Sequence, residues 1–290
     1  MSEIKVNSIK GVAASSAAIT VNNTDGSCAV NNTQRQGKNL IINGAMMVAQ
    51  RGTSSTASSG YNTVDRIKQS YGGADEAPTF AQADVAAGTT PYTLGFRKAF
   101  RVTNGDQTSG VGASDYIQID YFPEAQDLAN SGWSHKDPNS YITLSFWVKS
   151  SVAQTFNVHI YADDANMAYG FEYSATTSWT RITHSIPGHA SLGINNDNGL
   201  GFNIQWYLYM GTDTTSSSFT NADWHTYSGS SRSKDMTTTW QTTNDATFEL
   251  TGVQLEVGPQ ATAFEHRSFA DELALCQRYY YVVAEGIDQF

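Results

Sequence analysis

The sequence predicts an all-β protein built as a sandwich of two antiparallel sheets, and three observations predict it. Charged residues are only 15% of the chain, and the polar surface is made mainly of Ser, Thr, Asn, Gln and Gly. That composition suits many strands joined by turns and disfavours long amphipathic helices. Residues 141–163 read YITLSFWVKS, a short break, then TFNVHIYAD, with strict period-two alternation in both runs. One side is aliphatic (Ile142, Leu144, Phe146, Val148; Phe156, Val158, Ile160, Ala162). It must be covered by a second layer, and a second sheet is the simplest cover. The gap at 151–154 reads as a β-hairpin loop.

The elements follow in order. Residues 1–38 hold no aromatic residue and few apolar ones. Ile4, Val6, Ile9, Ile19 and Val21 are spaced as strand fragments that cannot bury a core alone. The segment is expected to be an arm that gains order from partners. In NLIINGAMMVAQRG, residues 40–42 read as a short strand and Asn43-Gly44 as a turn. YNTVDRIKQSY (61–71) and TFAQADV (79–85) follow. In LGFRKAFRV (94–102) Phe96, Phe100 and Val102 share a face, and Lys98 interrupts it as a sheet edge would. YIQIDYF (116–122) turns Ile117 and Ile119 inward. The stretch after Pro123 reads as a helical turn connecting the sheets.

Beyond residue 163, WTRITHSIPG (179–188) alternates through Ile182, His184 and Ile186, which makes His184 a hydrogen-bonded core residue. GLGFNIQWYLYM (199–210) is the longest strand signal. Leu200, Phe202, Ile204, Trp206, Leu208 and Met210 take one face, and Asn203, Gln205, Tyr207 and Tyr209 the other. Residues 211–239 are too long for a plain connection and contain Trp224, His225 and Tyr227, so they form a candidate functional loop. In ATFELTGVQLEVG the parity slips at Thr251-Gly252, as a β-bulge would cause. Ser268 and Asp271 have the spacing of a helix N-cap, followed by a stripe of Phe269, Leu273 and Cys276. YYYVV (279–283) reads as the start of a further strand.

Several function classes are excluded. The net charge is −10, from 17 basic and 27 acidic residues. That opposes a general nucleic-acid role and binding to an anionic membrane. Apolar runs fall short of the ~20 residues that span a bilayer, and the first residues lack a signal-peptide core. Cys28 and Cys276 are too few and too far apart for a disulfide framework, so both are expected as reduced thiols. The sequence contains no GxSxG, P-loop, HExxH or paired CxxC motif. Asp163-Asp164 and Glu249/Glu256 are the carboxylate pairs available for glycoside hydrolysis, but turns and surfaces produce such pairs easily. No cofactor or metal is expected, since no spacing selects the ligands of a structural Ca²⁺.

The outward faces carry more. Tyr141, Trp147, His159 and Tyr161 are predicted on one face of the hairpin, with Asp163 at its end. Gln205, Tyr207 and Tyr209 lie on the matching face of the long strand. Aromatic rings beside polar groups stack on sugar CH groups and bond their hydroxyls; such surfaces also occur at protein interfaces.

The strings NLIINGAMMVAQRGT, TVDRI, YITLSFWVKS, WTRITHSI and LTGVQLEVGPQATAFEHRSFADELALCQRYY together resemble a module of bacteriophage tail-fibre and related virion proteins. The resemblance spans residues 39–281 and is strongest over 252–281. It implies a jelly-roll sandwich similar to carbohydrate-binding modules, with NLIINGAM as first strand and TGVQLEVG as last. It also implies a homotrimer located in the virion. The family's DRW is DRI here, so Ile67 departs from it. Family members often continue past RYY with a second β module. The resemblance supplies no catalytic residue.

The expectation is a non-enzymatic virion protein, a tail fibre assembled in the host cytoplasm. Residues 1–38 would attach it to other virion proteins, 39–267 would form the sandwich presented to a host surface glycan, and 268–290 a short helix and the start of a further strand. The alternatives are a purely architectural adaptor or head-decoration protein, and an accessory module of a carbohydrate-active enzyme.

Overall fold

The computed structural model describes residues 37–283 and three short strands before them: β1 (Ser8–Ile9), β2 (Ile19–Val21) and β3 (Cys28–Val30). These three pair antiparallel in the order β1-β2-β3. Ile9, Ile19 and Val21 therefore do lie in strands, while Ile4 and Val6 lie outside the described residues.

The body is a jelly-roll sandwich of two antiparallel sheets, as its alternating strands require. Its strands are β4 (Ser54–Ser55), β5 (Ser59–Gly60), β6 (Ile67–Gly72), β7 (Thr79–Asp84), β8 (Lys98–Thr103), β9 (Tyr116–Tyr121), β10 (Tyr141–Ser150), β11 (Gln154–Ala162), β12 (Met167–Ala175), β13 (Thr180–Pro187), β14 (Phe202–Met210), β15 (His225–Thr226) and β16 (Thr247–Val257). One sheet has the order β13-β10-β16-β8-β7-β4, the other β15-β12-β11-β14-β9-β6-β5. Leu144, Phe146, Val158 and Ile160 are fully buried between them. Phe146 meets Trp206 edge-on at 5.8 Å between centroids, and Phe156 meets Phe248 at 5.1 Å, each pair joining opposite sheets.

The expected hairpin is absent. β10 pairs with β13 and β16, whereas β11 pairs with β12 and β14. The short link after Ser150 crosses from one sheet to the other. Two alternating runs joined by a few residues satisfy a crossing as well as a hairpin, because both keep the aliphatic sides inward.

The bulge on β16 is where the parity slip placed it. The register against β10 shifts between Ser145 and Trp147, and Gly252 adopts φ +61°. Before the bulge β16 pairs with β8; beyond it, residues 39–44 take that side. Leu40 N donates to Leu255 O at 2.9 Å, and Val253 N to Gly44 O at 2.9 Å. Leu255 N donates to the Asn39 side chain at 3.0 Å. A side-chain oxygen thus replaces a backbone one, so 40–42 run beside the sheet without becoming the expected first strand.

Other expectations are corrected. Lys98 does not mark an edge: β8 is internal, and Lys98 begins it in an ion pair with Asp84. α1 (Thr90–Thr93) is a single turn, and α2 (Ala125–Ala129) joins the two sheets as expected. Ser268 caps α3 (Phe269–Gln277), accepting from Asp271 N at 3.1 Å. The buried stripe of α3 is Glu272 and Cys276, not Phe269, which is 51% exposed. Glu272 is drawn inward because it accepts from Asn43 N and Arg267. Residues 279–283 form no strand. Instead the Tyr279 and Tyr280 rings lie 3.6 Å from the Arg66 and 3.5 Å from the Arg51 guanidinium carbon. Burial pushes the Cys276 thiol up to about 12, which keeps it protonated. No described helix is long and apolar enough to cross a membrane.

Candidate ligand-binding face

The crossing between β10 and β11 separates the residues expected to share a site. Tyr141 and Trp147 face outward from the six-stranded sheet. Trp147 is half-buried in a small cluster with Phe96, Trp179 and Phe264, so it packs under the chain rather than presenting a free ring. His159, Tyr161, Gln205 and Tyr207 face outward from the other sheet, and the pairing brings these four together. Asp163 sits exposed in the turn after β11. Tyr209 leaves the group. A register shift between Tyr207 and Tyr209 sets it opposite Ile117, and it is buried.

On the seven-stranded sheet, alternation turns polar residues outward on five adjacent strands, and the pairing aligns them in rows. Lys68, Asp120, Gln205, His159 and Gly170 stand opposite one another across β6, β9, β14, β11 and β12. A second row is Ser70, Gln118, Tyr207, Asn157 and Glu172. A third sets Asn203 beside Tyr161 and Ala168.

The first two rows form one hydrogen-bonded network. Gln205 Nε2 donates to Asp120 Oδ1 at 2.7 Å, and Gln118 Nε2 donates to the same carboxylate at 2.9 Å. Gln205 Oε1 then accepts from the Tyr207 hydroxyl at 2.8 Å and from His159 Nδ1 at 3.1 Å. Since Gln205 Oε1 can only accept, His159 carries its hydrogen on Nδ1 and its Nε2 is a bare acceptor. Burial holds the His159 pKa down at about 3, so the ring is neutral. Burial raises the pKa of Asp120, against the lowering effect of its two amide donors. The Tyr207 phenol is likewise pushed up by burial.

The face is buried because residues 211–239 cover it. His159 and Tyr207 are 0% exposed, and Gln205 is 6% exposed. The expectation of a solvent-facing surface therefore fails for these three. The cover is held at Trp224, whose Nε1 donates to Pro187 O at 2.7 Å and whose ring packs on Tyr169 and Phe202. Ala222 N donates to Gly170 O at 2.7 Å. Tyr227 lies over the row, its ring 4.5 Å from Tyr161 and 6.0 Å from His159. What stays half-exposed is a small platform at the margin of the cover: Tyr161, Tyr227, Asn203, Lys68 and Arg232. Asp120, Lys68 and Arg232 were missed in the sequence. Asp120 was legible, since it alternates with Ile119 in YIQIDYF; Arg232 lies in a loop without periodicity.

The carboxylate pairs considered for hydrolysis have structural partners. Glu249 is buried against Arg101 and Lys149, and Glu256 accepts from Thr262 N at 2.8 Å. Asp164 accepts from Asn195 N at 2.8 Å. Among the described residues there is no group of three or more His, Cys, Asp or Glu able to hold a metal ion. A separate open cleft of about 620 Å³ is lined by Arg66, Phe122, Glu124, Arg278 and Tyr279, among others. In it Glu124 is held by Arg278 at 2.6 Å.

No family model and no curated protein matches the chain. Solved structures with a similar fold include the enzymatically active domain of tailspike protein 4 of bacteriophage CBA120, with a TM-score of 0.39 and 8% identity over 76% of this chain. The match spans 22% of that tailspike chain. The family 11 carbohydrate-binding module of a Clostridium thermocellum cellulosomal cellulase matches at a TM-score of 0.31 and 13% identity, over 70% of this chain and 91% of its own. The N-terminal cellulose-binding domain of Cellulomonas fimi β-1,4-glucanase C matches at 0.31 and 9% identity, over 74% and 99%.

Proposed function

We propose that this chain is a non-enzymatic virion protein, a tail fibre of a bacteriophage, whose seven-stranded sheet recognises a host surface glycan. The observation that carries the glycan reading is the aligned row Asp120–Gln205–His159 ending beside the half-exposed ring of Tyr161 on the same sheet. Stacking rings next to fixed donors and acceptors suit a neutral polyhydroxylated ligand. The sequence strings shared with tail-fibre proteins support the virion assignment, attachment through residues 1–38, and assembly as a homotrimer. The burial of His159, Gln205 and Tyr207 favours a second reading, in which the sheet face is covered for good and the protein is an architectural adaptor.

A printed glycan array decides between them. The first reading expects binding by the intact chain that falls about 5-fold or more in Tyr161→Ala, whose ring supplies about 1 kcal/mol or more of stacking. Trp147→Ala, on the opposite sheet, should retain binding. Silence of the intact chain across the array supports the adaptor.

A further inference from the structure

The interface between the 211–239 segment and the sheet is poorly satisfied in its polar groups. Six buried side-chain atoms there have no hydrogen-bond partner in the protein: Asn157 Oδ1, His159 Nε2, Asn203 Oδ1, Asn221 Oδ1, His225 Nε2 and Arg232 Nε. Buried polar atoms are normally paired, and each exception calls for a physical reason. The layer between the sheets holds two such atoms, Trp206 Nε1 and Tyr173 Oη, within packing that is otherwise aromatic and aliphatic, so the sheet face under the segment has the denser cluster.

The segment is also unevenly held. Trp224 is fixed in the core by its ring contacts and its bond to Pro187. At the other end Ser233 is buried and bridges Thr215, with Ser216 N donating to Ser233 O at 2.9 Å. Between these points residues 225–232 cross the sheet face. They attach through the two-residue strand β15, paired to Met167 and Ala168, through Tyr227 N donating to Asn166 O at 3.0 Å, and through Arg232 N donating to Thr214 O. Their middle is Ser228-Gly229-Ser230-Ser231, which buries nothing substantial.

We infer that residues 225–232 are a displaceable cover, hinged at Trp224 and Ser233, that peels β15 from β12 and exposes the Asn157–His159–Asn203 acceptors to ligand hydroxyls. This rests on the glycan-face reading above for its purpose, but not for its mechanics. Peeling breaks one short strand pairing and the Tyr227 N–Asn166 O bond, and lifts the Tyr227 ring off Tyr161 and His159. The unpaired acceptors gain partners when they meet water or a saccharide, which offsets the broken pairing and the displaced ring. Locally opening segments of this kind have few buried apolar contacts and lie well below global unfolding in free energy.

The bare Nε2 of neutral His159 provides a test without any saccharide. Diethyl pyrocarbonate modifies unprotonated imidazoles, and the modified peptide is read by mass spectrometry. In the intact native chain at neutral pH, His159 should be labelled at least ~10-fold faster than global unfolding allows, as set by the slowest-exchanging core amides. A cross-link between the opposed partners Ala168 and His225 should stop the peel. Directly opposed antiparallel residues lie about 4.5–5.5 Å apart at Cα, within disulfide range. In Ala168→Cys with His225→Cys, on a Cys28→Ser background, oxidation should slow His159 labelling at least ~10-fold and reduction should restore it, with unchanged near-ultraviolet dichroism in both states. Labelling of the intact chain only at the global unfolding rate, or labelling indifferent to the cross-link, overturns the cover. Fast, cross-link-sensitive labelling with a silent glycan array would uphold the cover and sink the glycan reading, so the two fail separately.

Discussion

His184 lies flat on Phe171, the ring centroids 3.9 Å apart and the planes 5° from parallel. The two residues belong to different sheets, β13 and β12, so the pair closes one open side of the sandwich. Tyr169, also on β12, completes the tie with its hydroxyl 2.9 Å from His184 Nε2.

This tie makes stability depend on pH. Burial lowers the His184 pKa to about 4 and the His159 pKa to about 3. The unfolded chain takes up those protons near pH 6.5, and the folded chain does not until far lower. The stability these neutral rings allow is therefore complete above about pH 6.5 and is lost as the pH falls. The slope approaches 1.4 kcal/mol per pH unit for each ring. With His184 discounted for its partial exposure, a loss on the order of 2–3 kcal/mol is expected between pH 7 and pH 5. Asp120, whose pKa is raised, acts in the opposite sense as the carboxylate range is approached. Urea titrations at the two pH values check the loss, and His184→Gln should reduce it; equal midpoints at both would refute it.

Gly252→Ala should cost about 2–3 kcal/mol. Gly252 holds φ +61°, and an added Cβ would stand 2.7 Å from the Phe96 ring and 3.1 Å from Trp147. The expected readout is a lower urea midpoint with an unchanged slope. A neutral substitution would show that β16 does not need its bulge.

Gly170→Ala should act on the cover rather than on the core. Its Cβ would meet the tip of the Phe219 side chain at 2.7 Å, and Phe219 packs edge-on against His225. A side-chain tip moves more easily than backbone, so global stability should change by under about 1 kcal/mol. Amide exchange within 219–227 should rise at least ~10-fold. Exchange that stays as in the parent would show that Phe219 does not help to hold the cover.

The two C-terminal tyrosines should work as a clasp. Tyr279 lies on Arg66 and Tyr280 on Arg51, and stacked cation pairs of this kind contribute about 0.5–2 kcal/mol each. Tyr279→Ala with Tyr280→Ala should speed tryptic cleavage after Arg278 several-fold and leave the sandwich's thermal transition within a few degrees. Cleavage at the parent rate would place the hold on α3 elsewhere.

Much of this architecture was legible because burial repeats every second residue along a strand. The inward sets on β10 and β11, the set Phe202, Ile204, Trp206 and Leu208 on β14, and the slip at Gly252 follow from parity alone, whereas the shift after Tyr207 takes Met210 out of the expected inward set. Strand partners did not follow, because inward parity at Phe146 and Val158 is the same for a hairpin and for a crossing. Four of the proposed ligand residues, His159, Tyr161, Gln205 and Tyr207, do share a face. Tyr141 and Trp147 do not, since they sit on the other sheet. The shift that removes Tyr209 carries no glycine to announce it. The burial of His159 comes from a segment with no periodicity, so nothing local foretold it. On α3 the apolar stripe misled because Glu272 finds donors inside at Asn43 N and Arg267, which a hydropathy pattern does not weigh.

The passage from Ser150 to Gln154 sets Trp147 and Tyr161 back to back. A trimer or a neighbouring shaft that gripped the Trp147 side would leave the Tyr161 side pointing away from the contact. Packing and recognition could then change independently, because the Leu144–Val158 layer between them insulates one side from substitutions on the other.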